Sequence, residues 1–399
     1  MSKSLLHTPE GVRDIYNSEC KAKQSVTEKI MKRMQLFGYE LIETPGFEYF
    51  DIFRKERGTV DPKLMYRFFD RDGETIVLRP DVTPSIARCV AKYYKQSDTP
   101  LRFCYKSNTY INNQSYQGKL KETTQMGVEL LNENSVFADA EVLSCAITCL
   151  LDAGLSEFQL EVGNAAFFEA IIEGLNLDMD TLSELRGFIE EKFGYGVNAL
   201  IEKLPKVSKD TKKILSDLTD SFGSIKQLKN IEGIKLALKN KKAKAAFDRL
   251  VALDKVLSDQ GLSDYVTYDL SMLGKLGYYT GIIFRGYTYG TGEQILSGGR
   301  YDNLVGQFGD PTPAVGMSIT VDYLMSALSR QKITVIKRED KVLVLCSKKT
   351  FKAAYKKVCD LRAIGITAVL EVADKAWDSE KLEKYMDEFS FTKAEVMYE

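Results

Sequence analysis

Apolar side chains recur along this chain with two different periods, and each switch of period marks a new element. Residues 18–37 set Val26, Ile30, Met34 and Phe37 three and four apart, which is one face of a helix, and Gly38 is suited to ending it. "YELIETPGFEYFDIF" predicts a strand, a proline break and a second apolar segment. "MYRFFDRDGETIVLRPD" predicts a hairpin with Asp72 and Gly73 at its turn. "VTPSIARCVAKYY" predicts a helix with Thr83 as N-cap and Pro84 at its first position. Strand patterns follow in "LRFCYKSNTYIN" and "TTQMGVELL", then a helix over 137–153, then strand, turn and helix in "FQLEVGNAAFFEAIIEGL".

Over 176–262 the texture changes. Lysine, leucine and glutamate dominate with helical periodicity and few β-branched runs, which predicts a helical insertion. Strands return at "YVTYDLSMLG" and "YYTGIIFRGYTY", so the insertion interrupts a sheet begun before it. From Lys341 the pattern reads strand "KVLVLCS", helix "FKAAYKKVCDLRAIG", strand "ITAVLEV", helix "SEKLEKYMDEF" and strand "AEVMYE", a small α/β unit.

Composition narrows the function classes. The 399 residues suffice for two or three domains with sizeable cores. With 55 basic and 56 acidic side chains the formal net charge is -1, so no global positive field favours a nucleic-acid backbone. The N-terminal stretch has no apolar run with a cleavage site, and no segment approaches a membrane span, so the expected location is the cytoplasm. Seven cysteines scattered through apolar segments suit buried, reduced thiols. Cys145 and Cys149 are spaced to face a metal together, but no further ligand is suitably placed, so core packing is expected and no metal. His7 is the one histidine, which removes histidine triads and histidine-rich metal sites.

Four short stretches concentrate chemistry. In "LRPDVTPSIAR", Asp81 and Thr83 flank a helix start, where carboxylate and hydroxyl can jointly receive an ammonium group or simply cap the helix. In "QMGVE", Gln125 and Glu129 fall on one face of a strand and Met126 and Val128 on the other; that polar face lines a pocket or meets solvent. "GYYTG" puts Tyr278 and Tyr279 beside glycines, with room for a ligand or for a hairpin. "LSGGRYDNLVGQFG" sets Arg300 and Asp302 at a glycine-rich mouth, where they bind a ligand or form a surface ion pair.

The order and spacing of these stretches resemble the core of histidyl-tRNA synthetase, a class II aminoacyl-tRNA synthetase. "TPEGVRD", "GYELIETPGFE" with Pro45, "RFCYKSNTYIN" through "TTQMGVELL", "LGYYTG", "SGGRYDNL" and "PAVGMSITVDYL" carry the resemblance over most of the chain. It implies an α+β fold: a class II synthetase-like antiparallel sheet flanked by helices, dimeric through the first motif. The expected domains are a discontinuous core-type domain (1–175 and 263–330), the helical insertion (176–262), and a C-terminal α/β unit (338–399) similar to a truncated anticodon-binding domain. By position, Asp81, Thr83 and Gln125 would surround the ammonium of histidine, and Glu129 and Tyr279 would meet its imidazole.

Three positions depart from that pattern. Adenylate formation develops negative charge on a phosphate and needs preorganised cations. The second-motif arginine, which would grip the α-phosphate bidentately, falls at Ile111. The third-motif arginine falls at Tyr323, and that of the histidine-specific motif falls at Gly274, with Lys275 displaced by one. Losing one such contact costs about 3 to 4 kcal/mol in the barrier, so no catalytic residue is assigned. Lys275 and Arg300 are partial substitutes at most.

A synthetase-like body without these arginines resembles the regulatory subunits of ATP phosphoribosyltransferase. That resemblance implies a hetero-octamer with a short catalytic subunit in the first step of histidine biosynthesis. It also implies histidine feedback, no cofactor and no tRNA reading. A synthetase-like sensor with another partner and an active histidine-tRNA ligase are the alternatives.

Overall fold

The computed structural model describes residues 5–54, 60–95, 97–113, 119–204, 207–274, 278–335 and 340–398. They form two compact units, one ending at Val335 and one beginning at Ile336. The first unit opens with helix α1 (Asn17–Leu36), whose Val26, Ile30 and Met34 are wholly buried. Gly38 follows with φ +85°, a left-handed conformation that ends a helix without a side-chain clash. Strands β1 (Glu40–Leu41), β2 (Phe47–Tyr49), β3 (Arg67–Phe69) and β4 (Thr75–Leu78) come next. β2, β4 and β3 make a small antiparallel sheet in that order, and Gly73 (φ +85°) turns the hairpin between β3 and β4.

Helix α2 (Thr83–Tyr93) and the long strands β5 (Leu101–Tyr110) and β6 (Glu122–Leu131) lead to α3 (Val136–Asp152), β7 (Gln159–Asn164) and α4 (Ala165–Ile172). The stretch expected to be helical holds α5 (Met179–Glu190), α6 (Gly194–Lys203), α7 (Lys209–Leu218), α8 (Ile225–Leu228), α9 (Glu232–Ala237) and α10 (Lys241–Asp259). Between α7 and α8 it also contributes the short strand β8 (Phe222–Gly223). β9 (Val266–Asp269), β10 (Ile282–Tyr287), β11 (Leu296–Arg300), β12 (Ala314–Thr320) and α11 (Val321–Arg330) complete the unit.

The large sheet has the order β1-β5-β6-β12-β11-β10-β7-β9-β8. From β5 to β7 every neighbouring pair is antiparallel, as the resemblance implies. At its edges β1 joins β5 and β9 joins β7 in parallel, so the sheet as a whole is mixed. Strand alternation divides its faces. Met126, Val128, Leu130, Val315, Ile319, Leu296, Ile282 and Phe284 enter one apolar core with α1, α3, α10 and α11. Leu185, Ile189, Val197, Leu215 and Leu250 belong to that same core, so the helices of 176–262 share it.

In the second unit, β13 (Lys341–Cys346), α12 (Phe351–Ala363), β14 (Thr367–Val372), α13 (Ser379–Glu388) and β15 (Lys393–Met397) follow the expected alternation. β13 lies between β14 and β15, parallel to both, over a core of Val342, Val344, Ala354, Val358 and Ala368. Cys104, Cys145, Cys149 and Cys346 are buried, whereas Cys20 and Cys359 are exposed: helix positions on α1 and α12 face water despite their apolar neighbours.

Candidate functional site

The face of the large sheet turned away from the main core is the floor of a cavity of about 370 Å³. Its lining includes Asp81, Thr83, Gln125, Glu129, Tyr278 and Tyr279, six of the seven residues singled out in the sequence. Three elements bring them together. Gln125 and Glu129 share a face of β6, Asp81 and Thr83 stand at the start of α2, and the tyrosines occupy the turn before β10. The strand expected from Tyr278 onward begins at Ile282, which leaves the tyrosine pair in a turn at the cavity wall.

Glu129 is the centre of this arrangement, with 1% of its surface exposed. Thr83 Oγ1 donates a 2.6 Å hydrogen bond to its Oε1, and the Tyr301 hydroxyl donates to its Oε2. Thr83 is therefore not the expected N-cap; Val82 holds that position, and Asp81 Oδ1 accepts the Thr83 N–H at 3.3 Å. Burial pushes the Glu129 acid up to about 8; the two hydroxyls oppose the shift and the nearby Asp81 carboxylate adds to it. The tyrosines form a cluster, with Tyr278 4.9 Å from Tyr279 in edge-to-face contact and 5.9 Å from Tyr301. Burial raises all three phenols, so they remain hydrogen-bonding hydroxyls. Gly316 makes room for the acid, because a Cβ there would fall 1.7 Å from Glu129 Oε2.

Arg300 does not line this cavity. It is buried on the other side of β11, where Nε and Nη2 meet Asp139 Oδ1 at 3.0 and 2.7 Å. Nη1 reaches Asp302 Oδ1 and the Glu133 carbonyl, both at 3.1 Å. The expected surface ion pair is thus an interior one, because strand alternation turns Arg300 opposite to Ser297 and Gly299.

Comparison with known proteins gives the family and the fold. Residues 11–324 match the family model of histidyl-tRNA synthetase. The ATP phosphoribosyltransferase regulatory subunit of Acetivibrio thermocellus is 37% identical over 373 residues, 93% of this chain and 88% of that protein. That of Clostridium kluyveri is 38% identical over 371 residues, covering 92% and 94%. This chain belongs to the ATP phosphoribosyltransferase regulatory subunit family. A crystal structure of an ATP phosphoribosyltransferase regulatory subunit/histidyl-tRNA synthetase from Bacillus halodurans superposes with TM-score 0.86 at 30% identity, covering 99% of both chains. Histidyl-tRNA synthetase from Nostoc, at 18% identity and TM-score 0.80, shares the fold.

In this regulatory-subunit chain the three substituted positions have separate fates. Ile111 and Gly274 line the cavity. Tyr323 sits on α11, packed against the main core and outside the lining. Gly274 has φ +64°, and a Cβ there would lie 2.5 Å from Ile283 Cδ1, so a side chain at this position is strained. Lys275 lies outside the described residues.

Tyr301 and Arg285 are among the lining residues that were not foreseen. Tyr301 stands beside Arg300 in the same motif, and alternation along β11 shows which of the two faces the cavity. Arg285 places a cation on the wall after all, two residues beyond Ile283 on β10, at the same period that pairs Gln125 with Glu129. Among the described residues no three His, Cys, Asp or Glu side chains gather to hold a metal, and no helix is long and apolar enough to cross a membrane.

Proposed function

We propose that this chain is the non-catalytic subunit that a short ATP phosphoribosyltransferase catalytic chain needs for activity, and that it carries histidine feedback on the first step of histidine biosynthesis. The observation that carries the reading is the family: relatives named as that regulatory subunit align over nine-tenths of the chain. The cavity supports it from the chemical side. Where the synthetase resemblance puts the phosphate-gripping arginine of the second motif and the arginine of the histidine-specific motif, the wall has Ile111 and Gly274, which leaves little to stabilise a pentavalent phosphate. Aminoacylation is accordingly absent, and histidine occupies the cavity as a signal rather than as a substrate. Its ammonium meets Asp81, Thr83 and Gln125, and its imidazole meets Glu129 and Tyr279.

The complex is a cytoplasmic hetero-octamer whose regulatory chains pair with each other and read no tRNA. Leu41, Phe47 and Tyr49, in and beside the first motif, are more than half exposed and supply apolar surface for a self-dimer. The formal net charge of -1 gives no attraction for RNA.

The test is phosphoribosyl-ATP formation from ATP and 5-phosphoribosyl diphosphate, with the short catalytic chain of the same organism, with and without this protein. Activity that appears in the mixture and falls when histidine is added is the expected result. Equal activity with and without this chain would reject the reading, and a monomer in sedimentation at micromolar concentration would reject the self-dimer.

A further inference from the structure

The register of the sheet orders the cavity floor into two rows. Ile283, Gly299, Gly316 and Glu129 are cross-strand partners in one row, and Arg285, Ser297, Ser318 and Gly127 are partners in the next. The first row is nearly bare of side chains and ends at the acid; the second is polar, and beyond its guanidinium the register continues to Glu161 of β7. β10 and β6 are three strand spacings apart, about 14 Å between backbones. The floor is therefore bipolar: Asp81 and Glu129 at one end, Arg285 at the other.

Arg285 is poorly occupied by the protein itself. Among the described residues its ion partner within 4 Å is Glu190 of α5, at 3.7 Å, too long for a hydrogen bond, and Glu161, its cross-strand partner on β7, is a second carboxylate that interacts with its charge. Glu190 Oε1 already accepts the Gly274 N–H at 2.9 Å. Arg186, one turn earlier on α5, donates to the Gly274 carbonyl at 2.6 Å and to that of Leu273 at 3.2 Å. The cavity rim at Gly274 is thus held by α5 on both sides of the residue, and the same helix end presents the carboxylate nearest Arg285. Position 274 itself supplies no cation, being a glycine whose left-handed backbone strains any side chain.

We propose that Arg285 is the carboxylate receptor of this cavity and sets its specificity for a free α-amino acid, with Glu190 as the group the ligand's carboxylate displaces. The inference rests on the reading that an amino acid occupies the cavity. A planar guanidinium accepts a carboxylate through two parallel hydrogen bonds, a better match than the single long contact to Glu190. Ligand binding then changes the partner of a residue on α5, which also holds the rim, so the helices of 176–262 register whether the cavity is filled.

The experiment is calorimetric titration of the full-length protein with L-histidine and with histamine, which lacks the carboxylate, on wild type, Arg285→Ala and Glu190→Gln. Wild type should bind histidine at least tenfold more tightly than histamine. Arg285→Ala should weaken histidine at least tenfold and leave histamine unchanged, and Glu190→Gln should tighten histidine by releasing Arg285. Unchanged histidine affinity in Arg285→Ala, or an equal loss for both ligands, overturns the receptor role while the cavity reading stands. Wild type that binds neither ligand overturns the cavity reading and the receptor with it.

Discussion

Two buried carboxylates, Glu129 and Asp139, lie on opposite faces of the large sheet with opposite partners. Asp139 is wholly buried and takes Arg300 on one oxygen and Arg249 on the other, the latter at 2.6 Å. Glu129 is as deeply buried but is met by two hydroxyls, with no cation from the described residues on it, and beside it the cavity is open. Asp139 is a joint: its charge is balanced inside the protein, and it fastens α3 to β11 and α10. Glu129 is unbalanced, so its acid rises to about 8 and stands ready for a cationic or hydrogen-bonding ligand. A carboxylate with guanidinium partners holds a fold together, and one with hydroxyl partners beside a void is kept for something that arrives.

The largest test of this contrast is Asp139→Ala. It leaves Arg300 buried with only Asp302 and a carbonyl, and removal of one member of a buried pair costs about 3 to 5 kcal/mol. Urea unfolding should show that loss, and a cost below about 1 kcal/mol would place the ion cluster among dispensable contacts.

Glu129 should instead reveal itself through pH. Below its ordinary value near 4.5, folded and unfolded chains both carry the protonated acid, and its contribution is complete. Between there and about 8 the unfolded chain has lost the proton that the folded chain keeps. Stability therefore falls by about 1.4 kcal/mol per pH unit across that window and levels off above it. Glu129→Gln should remove this slope relative to wild type in urea midpoints taken from pH 5 to 8, and an unchanged slope would show that the acid ionises freely. The smallest effect is at Gly274. Gly274→Ala should cost about 1 to 3 kcal/mol through its left-handed backbone and its clash with Ile283. A neutral outcome would reopen position 274 to an arginine.

Much of the site was legible before the fold. Periodicity placed Gln125 and Glu129 together because a strand's two-residue repeat leaves no choice of face. The helix start carrying Asp81 and Thr83 was marked by Pro84. Thr83 itself was ambiguous, since a hydroxyl at a helix start caps locally unless a better acceptor comes close, and Glu129, forty-six residues away, is such an acceptor. Arg300 was misplaced because a glycine-rich run resembles an exposed turn, whereas Ser297–Arg300 is the middle of a sheet whose glycines admit the rings of Phe284 and Tyr279. Arg285 was not legible because strand period puts it on one face of β10, and only the sheet register turns that face to the cavity.

Local order along the chain thus fixed the elements, the alternation of faces and the family to which the pattern belongs, because these depend on neighbours a few residues apart. The partners of each charge were decided by the sheet register, which joins β6 (Glu122–Leu131) to β12 (Ala314–Thr320) and through it to β11 and β10. Whether a buried carboxylate becomes a joint or a receptor depends on those distant partners, since the cost of burying charge is set by what lies within a few ångströms in space and not in sequence.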